Sequence, residues 1–277
     1  MGSIANTNKR TYYASLTMYP IIFQFGPVTI YSFGAMMALA ALTAAWVVSL
    51  ELKRRGYNSE LASTIVFAAA IGGLVGARIL FIVEEWQGFL AAPLKYILTG
   101  AGFTWYGGFF GGVAAVSWVL KKNKIPWLTG ADMTAPALAL AYSVGRIGCH
   151  VAGDGDWGAV TDVPWGVAYK NAIIGWVDPN TGIPYAPGVL VHPTPIYEFL
   201  QGVLVFLILW VMSKKGLAPG TIAWFYLVLT GLMRFIVEFW RINPQVGFGL
   251  SEAQWFGLLL MVLGGVLLAT RPLKTLT

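Results

Sequence analysis

The sequence predicts an all-α integral membrane protein: a seven-transmembrane helix bundle with an extracytoplasmic loop subdomain. Two observations lead there. Of 277 residues, 57% are hydrophobic and 11% charged, whereas a soluble domain carries about 25% charged residues, so the chain has too little polar surface to cover itself in water. The apolar residues also fall in blocks of about 20, the length of a helix that crosses a bilayer.

Taken in order, the N-terminal segment 1–27 carries Lys9 and Arg10, then a long apolar stretch broken by Pro20, Gly26 and Pro27 and rich in aromatics from Tyr12 to Phe25. It lacks the compact apolar region of a cleaved signal peptide and suits the headgroup layer. Residues 28–277 form the transmembrane domain. The apolar runs predict helices at Val28–Leu50, Leu61–Val83, Phe103–Leu120, Asp132–Val151, Pro195–Met212, Thr221–Trp240 and Glu252–Thr270. Composition predicts breaks at Glu51–Glu60, Lys121–Gly130, Ser213–Gly220 and Asn243–Ser251. The segment 153–193, with Gly, Pro and Asp throughout, is expected to be the extramembrane subdomain.

Lysine and arginine orient the bundle. The first, third and fifth connections hold Lys53, Arg54, Arg55, Lys121, Lys122, Lys124, Lys214 and Lys215, and Arg271 and Lys274 follow in the tail, ten in all. The other side holds five: Lys9, Arg10, Lys95, Lys170 and Arg241. The expectation is a multi-pass protein of the bacterial cytoplasmic membrane, N-terminus outside and C-terminus cytoplasmic. A pI near 9.4 then reads as attraction to anionic lipid, not to nucleic acid, because no basic stripe with interleaved aromatics is present. Cys149 is the only cysteine, so no internal disulfide forms.

Glycines cluster in the second and third helices: Gly72, Gly73 and Gly76, then Gly107, Gly108, Gly111 and Gly112. Small residues at this spacing let helices approach closely in lipid; alternatively, backbone beside them lines a headgroup pocket. Arg78, Arg146 and Arg234 lie inside apolar runs, where a helix-centre arginine costs about 2.5–3.5 kcal/mol on insertion scales and needs a partner or a watery cavity. Glu238 and Arg241 follow Arg234 by four and seven residues and share its helical face. This stripe is either an intrahelical ion pair with snorkelling arginines or part of a phosphate site, since guanidinium forks match phosphate oxygens. In a membrane, the abundant phosphate is the phospholipid headgroup.

These residues bring out a resemblance. The run from Gly145 through Arg146, Cys149, His150, Asp154 and Trp157 to Gly158 resembles the signature G-R-I-G-N-F-x-N-G-E-x-W-G of the prolipoprotein diacylglyceryl transferases. Gly76-Ala77-Arg78 resembles that family's G-A-R, Phe103 to Gly108 its S-F-H-G-G, and His192 to Glu198 its H-P-S-Q-L-Y-E. Arg234 to Arg241 resembles its R-F-I-V-E-x-x-R, and Tyr31 fits its helix-one tyrosine. The resemblance implies transfer of the diacylglyceryl group of phosphatidylglycerol to the thiol of a preprolipoprotein lipobox cysteine, giving a thioether and glycerol phosphate, with no metal and no cofactor.

By the same resemblance, Arg146 and Arg234 hold the donor phosphate with Glu238 orienting them, Arg241 sits at the mouth, and Tyr31 contacts the headgroup. Arg78, Gly107, Gly108, Asp154 and Gly158 complete the substrate site, and His192, Tyr197 and Glu198 shape acceptor access. Two positions depart from the pattern. Tyr106 replaces the family histidine, and an unperturbed tyrosine, pKa about 10, is a poor base, so either a nearby arginine eases its proton or another group serves. Cys149 replaces an asparagine; His150 beside it either assists proton transfer or packs. The acidic position falls on Asp154 or Asp156, because the loop has one extra residue. Other readings are a relative with a different phospholipid donor or without lipidation activity, and a small-anion or lipid transporter, for which no inverted repeat is evident. A retinal photoreceptor is excluded because Glu252–Thr270 contains no lysine.

Overall fold

The computed structural model describes residues 18–98 and 102–270. Lys9, Arg10, the start of the aromatic stretch, Arg271 and Lys274 therefore lie outside the described residues. The chain is mostly helical, and five helices are long and apolar enough to cross a membrane.

The first described element corrects the sequence reading. Val28 does not begin a helix: β1 (Ile21–Phe25) and β2 (Val28–Tyr31) form an antiparallel hairpin, turned at Gly26 with φ +56°. The β-branched run Val28-Thr29-Ile30 favours extended backbone, and glycine supplies the left-handed turn. Ser32 then starts helix α1 (Ser32–Arg54), its backbone N–H bonded to the Pro20 carbonyl. The predicted break at Glu51 is displaced, because Glu51 is fully buried inside α1.

Helix α2 (Leu61–Glu84) is followed by two short helices absent from the sequence reading, α3 (Trp86–Ala91) and α4 (Pro93–Leu98). Next come α5 (Trp105–Lys122) and α6 (Trp127–Ala152). The α5–α6 connection is much shorter than predicted. Helix α6 starts directly after Pro126, five residues before Asp132, where proline's fixed φ of −58° suits the chain entering a helix. Asp132, fully buried, turns inward and accepts 2.8 Å bonds from the backbone N–H of Gly220 and Ala223. It thereby caps α8 (Thr221–Val237), which follows α7 (Thr194–Met212). Helix α9 (Glu252–Thr270) closes the chain after a small hairpin, β3 (Gln245–Gly247) with β4 (Leu250–Ser251), which occupies the break predicted there.

The helices pack as α1 on α6, α2 on α5, α6 on α7 and α8 on α9. At one pole, Glu51 of α1 bonds Arg54 at 2.5 Å and accepts the Ser213 hydroxyl from beyond α7 at 2.9 Å, while Asp132 ties α6 to α8. At the other pole lie the end of α6, the start of α7 and the end of α8. The segment 153–193 covers that pole without helix or strand, around a core of Trp157, Val167, Tyr169 and Val191 with Trp176 and Tyr185 against it.

The glycines of α2 and α5 interlock. A Cβ on Gly107 would strike the Gly76 carbonyl and the Leu80 Cβ, and one on Gly111 would come within 2.9 Å of the Gly76 Cα. Gly108 is different, since its Cβ would meet Ala77 and the Gly73 carbonyl at 3.5 Å, an ordinary contact. Gly107→Ala should therefore lower stability by about 1–3 kcal/mol through overpacking, and Gly108→Ala should be near neutral. Thermal unfolding of the purified protein in detergent separates the two.

Candidate active site

Three helices deliver the charged groups. Arg146 lies two turns before the end of α6, which stops at Gly153 in left-handed conformation (φ +65°). Glu198 is in the second turn of α7, and Arg234 is in the last turn of α8. Glu238 opens a short 3-10 turn after α8, and Arg241 follows it, bridged to Gly158 of the covering segment.

Glu198 is the hub. Its side chain is 1% exposed and meets all three guanidiniums: Arg234 Nη1 at 2.7 Å, Arg146 Nε at 3.2 Å and Arg241 Nη1 at 3.3 Å. The Tyr142 hydroxyl donates to it at 3.0 Å, and that ring carries Arg146 over its face at 4.9 Å. Asp156 bridges the far side, paired with Arg146 Nη1 and, at 2.8 Å, with Arg241 Nη2. Glu238 takes Arg234 Nη2 at 3.2 Å and is fixed by Ser251 and Asn243, which donate to it at 2.8 and 2.6 Å. The cluster therefore joins three guanidiniums to three carboxylates.

Burial alone would raise the Asp156 carboxyl. Arg241 and then Arg146, by charge and hydrogen bonding, hold it below the usual carboxylate range instead. The stability these pairs contribute is thus present above the ordinary Asp pKa of about 3.9 and is lost only as pH falls through the lower folded value.

Several sequence expectations change here. Arg241 is not at the mouth: its side chain is 9% exposed, against 26% for Arg234 and 17% for Arg146, because Asp156 and Glu198 draw it inward. Glu238 pairs with Arg234 and Arg241, while Glu198 is the carboxylate that orients both Arg146 and Arg234. Of the two candidate acids, Asp156 meets the arginines. Asp154 instead accepts the Asp156 backbone N–H at 3.3 Å. Cys149 Sγ and one oxygen each of Asp154 and Asp156 lie within 4.8 Å of one another, but two guanidiniums already occupy Asp156, which makes the trio a poor cation seat.

The remaining expected residues fall around this cluster. Tyr31 and Asp154 line a cleft of about 440 Å³ with Phe33, Gly34, Ala152 and Ile173. Gly158 works by close approach: its N–H bonds the His192 carbonyl at 2.8 Å, and a Cβ there would strike the Trp240 carbonyl and come within 2.8 Å of Thr194. His192 Nδ1 lies 3.0 Å from the Tyr197 hydroxyl, which also accepts the Trp165 indole N–H at 2.7 Å. Burial pushes the His192 imidazole below its usual value, so it is neutral at pH 7.

His150 Nδ1 sits 2.9 Å from the Tyr169 hydroxyl. Arg78 donates to the Gly102 carbonyl at 3.1 Å and lies over the Phe103 ring, on the α2–α5 side. Gly107 is taken up in helix packing. Tyr106 donates to Glu252 at 3.2 Å. Tyr142 and Ser251 are members of the cluster that sequence reasoning missed; nothing in their local pattern marks either one.

A family model described as prolipoprotein diacylglyceryl transferase matches residues 20–270. Three similar relatives each bear the name phosphatidylglycerol–prolipoprotein diacylglyceryl transferase. One from Clostridium tetani is 33% identical over 89% of this chain and 95% of its own length. One from Pseudoalteromonas atlantica is 34% identical over 87% and 82%, and one from Coxiella burnetii is 30% identical over 89% and 92%.

Proposed function

This chain belongs to the prolipoprotein diacylglyceryl transferase family, and we infer that it moves the diacylglyceryl group of phosphatidylglycerol onto the cysteine thiol of a preprolipoprotein. The observation that carries the mechanism is the meeting of Arg146, Arg234 and Arg241, from separate parts of the chain, at Glu198. Thiol attack on the glycerol carbon drives negative charge onto the departing phosphate. Guanidiniums already fixed by carboxylates stabilise that charge without reorganising when it appears.

Arg234 and Arg146, the more exposed pair, bind the phosphate, and Arg241 holds the covering segment in place through Asp156. Tyr31 and its cleft receive the apolar part of a substrate beside the cluster. His192 and Tyr197, joined to Trp165, form the rim on the acceptor side.

We read seven crossings: the five apolar helices together with α5 and α6. Helix α6 is 26 residues long, and its Asp132, Arg146 and His150 are what lower its apolarity. Seven alternating crossings put the α1, α5, α7 and α9 starts and the α6 and α8 ends in one leaflet, which is where the cluster lies. The opposite pole carries Lys53, Lys121, Lys122, Lys214 and Lys215, so that pole is cytoplasmic and the segment 153–193 forms an outside subdomain.

The test is transfer by the purified protein from phosphatidylglycerol to a lipobox peptide, read as thioether product by mass spectrometry. Product is expected with phosphatidylglycerol. Product only with another phospholipid reassigns the donor, and none from any common phospholipid, with the protein folded, rejects the enzymatic reading.

A further inference from the structure

A thiol must lose its proton as it attacks, and the cluster itself is badly suited to take it. Asp156, Glu198 and Glu238 are each held against arginine, so a proton on any of them would loosen a guanidinium when the leaving phosphate needs it. His150 and His192 each engage a tyrosine hydroxyl through Nδ1.

Glu252 stands outside that arginine network and faces a hydroxyl instead. Glu252, the first residue of α9, makes no ion pair among the described residues; its oxygen accepts the hydroxyl of Tyr106, from the start of α5, at 3.2 Å. Both side chains are exposed, so an incoming group can reach the phenol oxygen. The bond spans two separate helix pairs, α2 with α5 and α8 with α9, which Trp105 edge-on to Phe256 also fastens together. A chain neighbour links the pair to the cluster. Ser251, the residue before Glu252, is buried and donates to Glu238, the partner of Arg234.

We propose that Tyr106 and Glu252 form a proton relay for the acceptor thiol, with Glu252 the final acceptor. The inference rests on the diacylglyceryl-transfer reading. The thiol donates its proton to the phenol oxygen while the phenol passes its own proton to the Glu252 carboxylate. The electron pair of the S–H bond forms the new C–S bond to glycerol. The C–O bond to phosphate breaks, and its electron pair leaves with the phosphate, held by Arg234 and Arg146. Glu252 then releases the proton to water. A phenol alone is a poor base at neutral pH; the carboxylate behind it makes it a conduit, and the proton moves as the carbon–sulfur bond forms.

The experiment measures kcat and KM for phosphatidylglycerol and a lipobox peptide from mildly acidic to mildly basic pH. The proteins are wild type, Tyr106→Phe, Glu252→Gln, Glu252→Asp and the Tyr106→Phe/Glu252→Gln double variant, with Arg234→Ala as the impaired control. Each of Tyr106→Phe and Glu252→Gln should lower kcat by about 100-fold or more, the scale of lost general base catalysis, with KM little changed. The double variant should be no worse than the poorer single one, and Glu252→Asp should recover part of the rate.

The acidic limb of the wild-type kcat profile should disappear in Glu252→Gln, a change that a merely structural bond between α5 and α9 cannot produce. Wild-type kcat and an unaltered profile in Glu252→Gln, where wild type transfers and Arg234→Ala is strongly slowed, overturn the relay and leave the transferase reading standing. No transfer by wild type overturns that reading and the relay with it.

Discussion

Arg234→Ala should reduce kcat for diacylglyceryl transfer by about 10²–10³-fold, the loss seen when one preorganised donor to a developing anion is removed. Arg234 carries the argument best because its guanidinium is the most exposed of the three, yet it is clamped by Glu198 at 2.7 Å and Glu238 at 3.2 Å. Two carboxylates fix its plane, so it is already aimed when the phosphate arrives. Arg234→Lys should restore little, since an ammonium cannot span two carboxylates and present a fork to phosphate. The same loss is expected for Arg146→Ala. Steady-state transfer assays on both variants, with folding checked by thermal unfolding, decide the matter: full activity in either one removes that arginine from the phosphate site.

The second large effect is on stability. Glu198→Gln should destabilise the protein by about 3–5 kcal/mol, the cost of removing one member of a buried ion cluster and leaving the opposite charge uncompensated. Glu198 is the contact shared by Arg146, Arg234 and Arg241, so its loss sets three cations against one another between α6, α8 and the turn that follows α8. The unfolding midpoint in detergent should fall sharply for Glu198→Gln and hardly move for Glu60→Gln, whose side chain is exposed between α1 and α2. Equal midpoints in the two variants contradict the hub role.

Much of the helical scaffold was legible because lipid leaves one strong signal, apolar length: α9 begins and ends where the run Glu252–Thr270 does. The misplaced boundaries have physical reasons. Val28 to Tyr31 is apolar but β-branched, and hydropathy does not separate ribbon from helix in so short a run. Asp132 reads as a boundary residue by its charge, yet it is buried, because two backbone N–H groups of α8 satisfy it from 88 and 91 residues away. In the candidate site, the i, i+4 pairing of Arg234 with Glu238 could be read along one helix and is present. The convergence on Glu198 could not, since its partners lie 36 and 43 residues away in Arg234 and Arg241. Motif resemblance brought Glu198 into view, but pattern alone assigned it to the rim and not to the centre.

The pairing of three cations with three anions also bears on turnover. An unbalanced nest of arginines would hold a doubly charged phosphate monoester more tightly than the singly charged diester it came from, and the enzyme would stall on its own product. In the proposed site the carboxylates stay paired with the guanidiniums, offset their charge and weaken the grip on the departing dianion. The electrostatics that ease bond breaking are thereby kept from becoming a trap, and spent headgroup gives way to the next lipid.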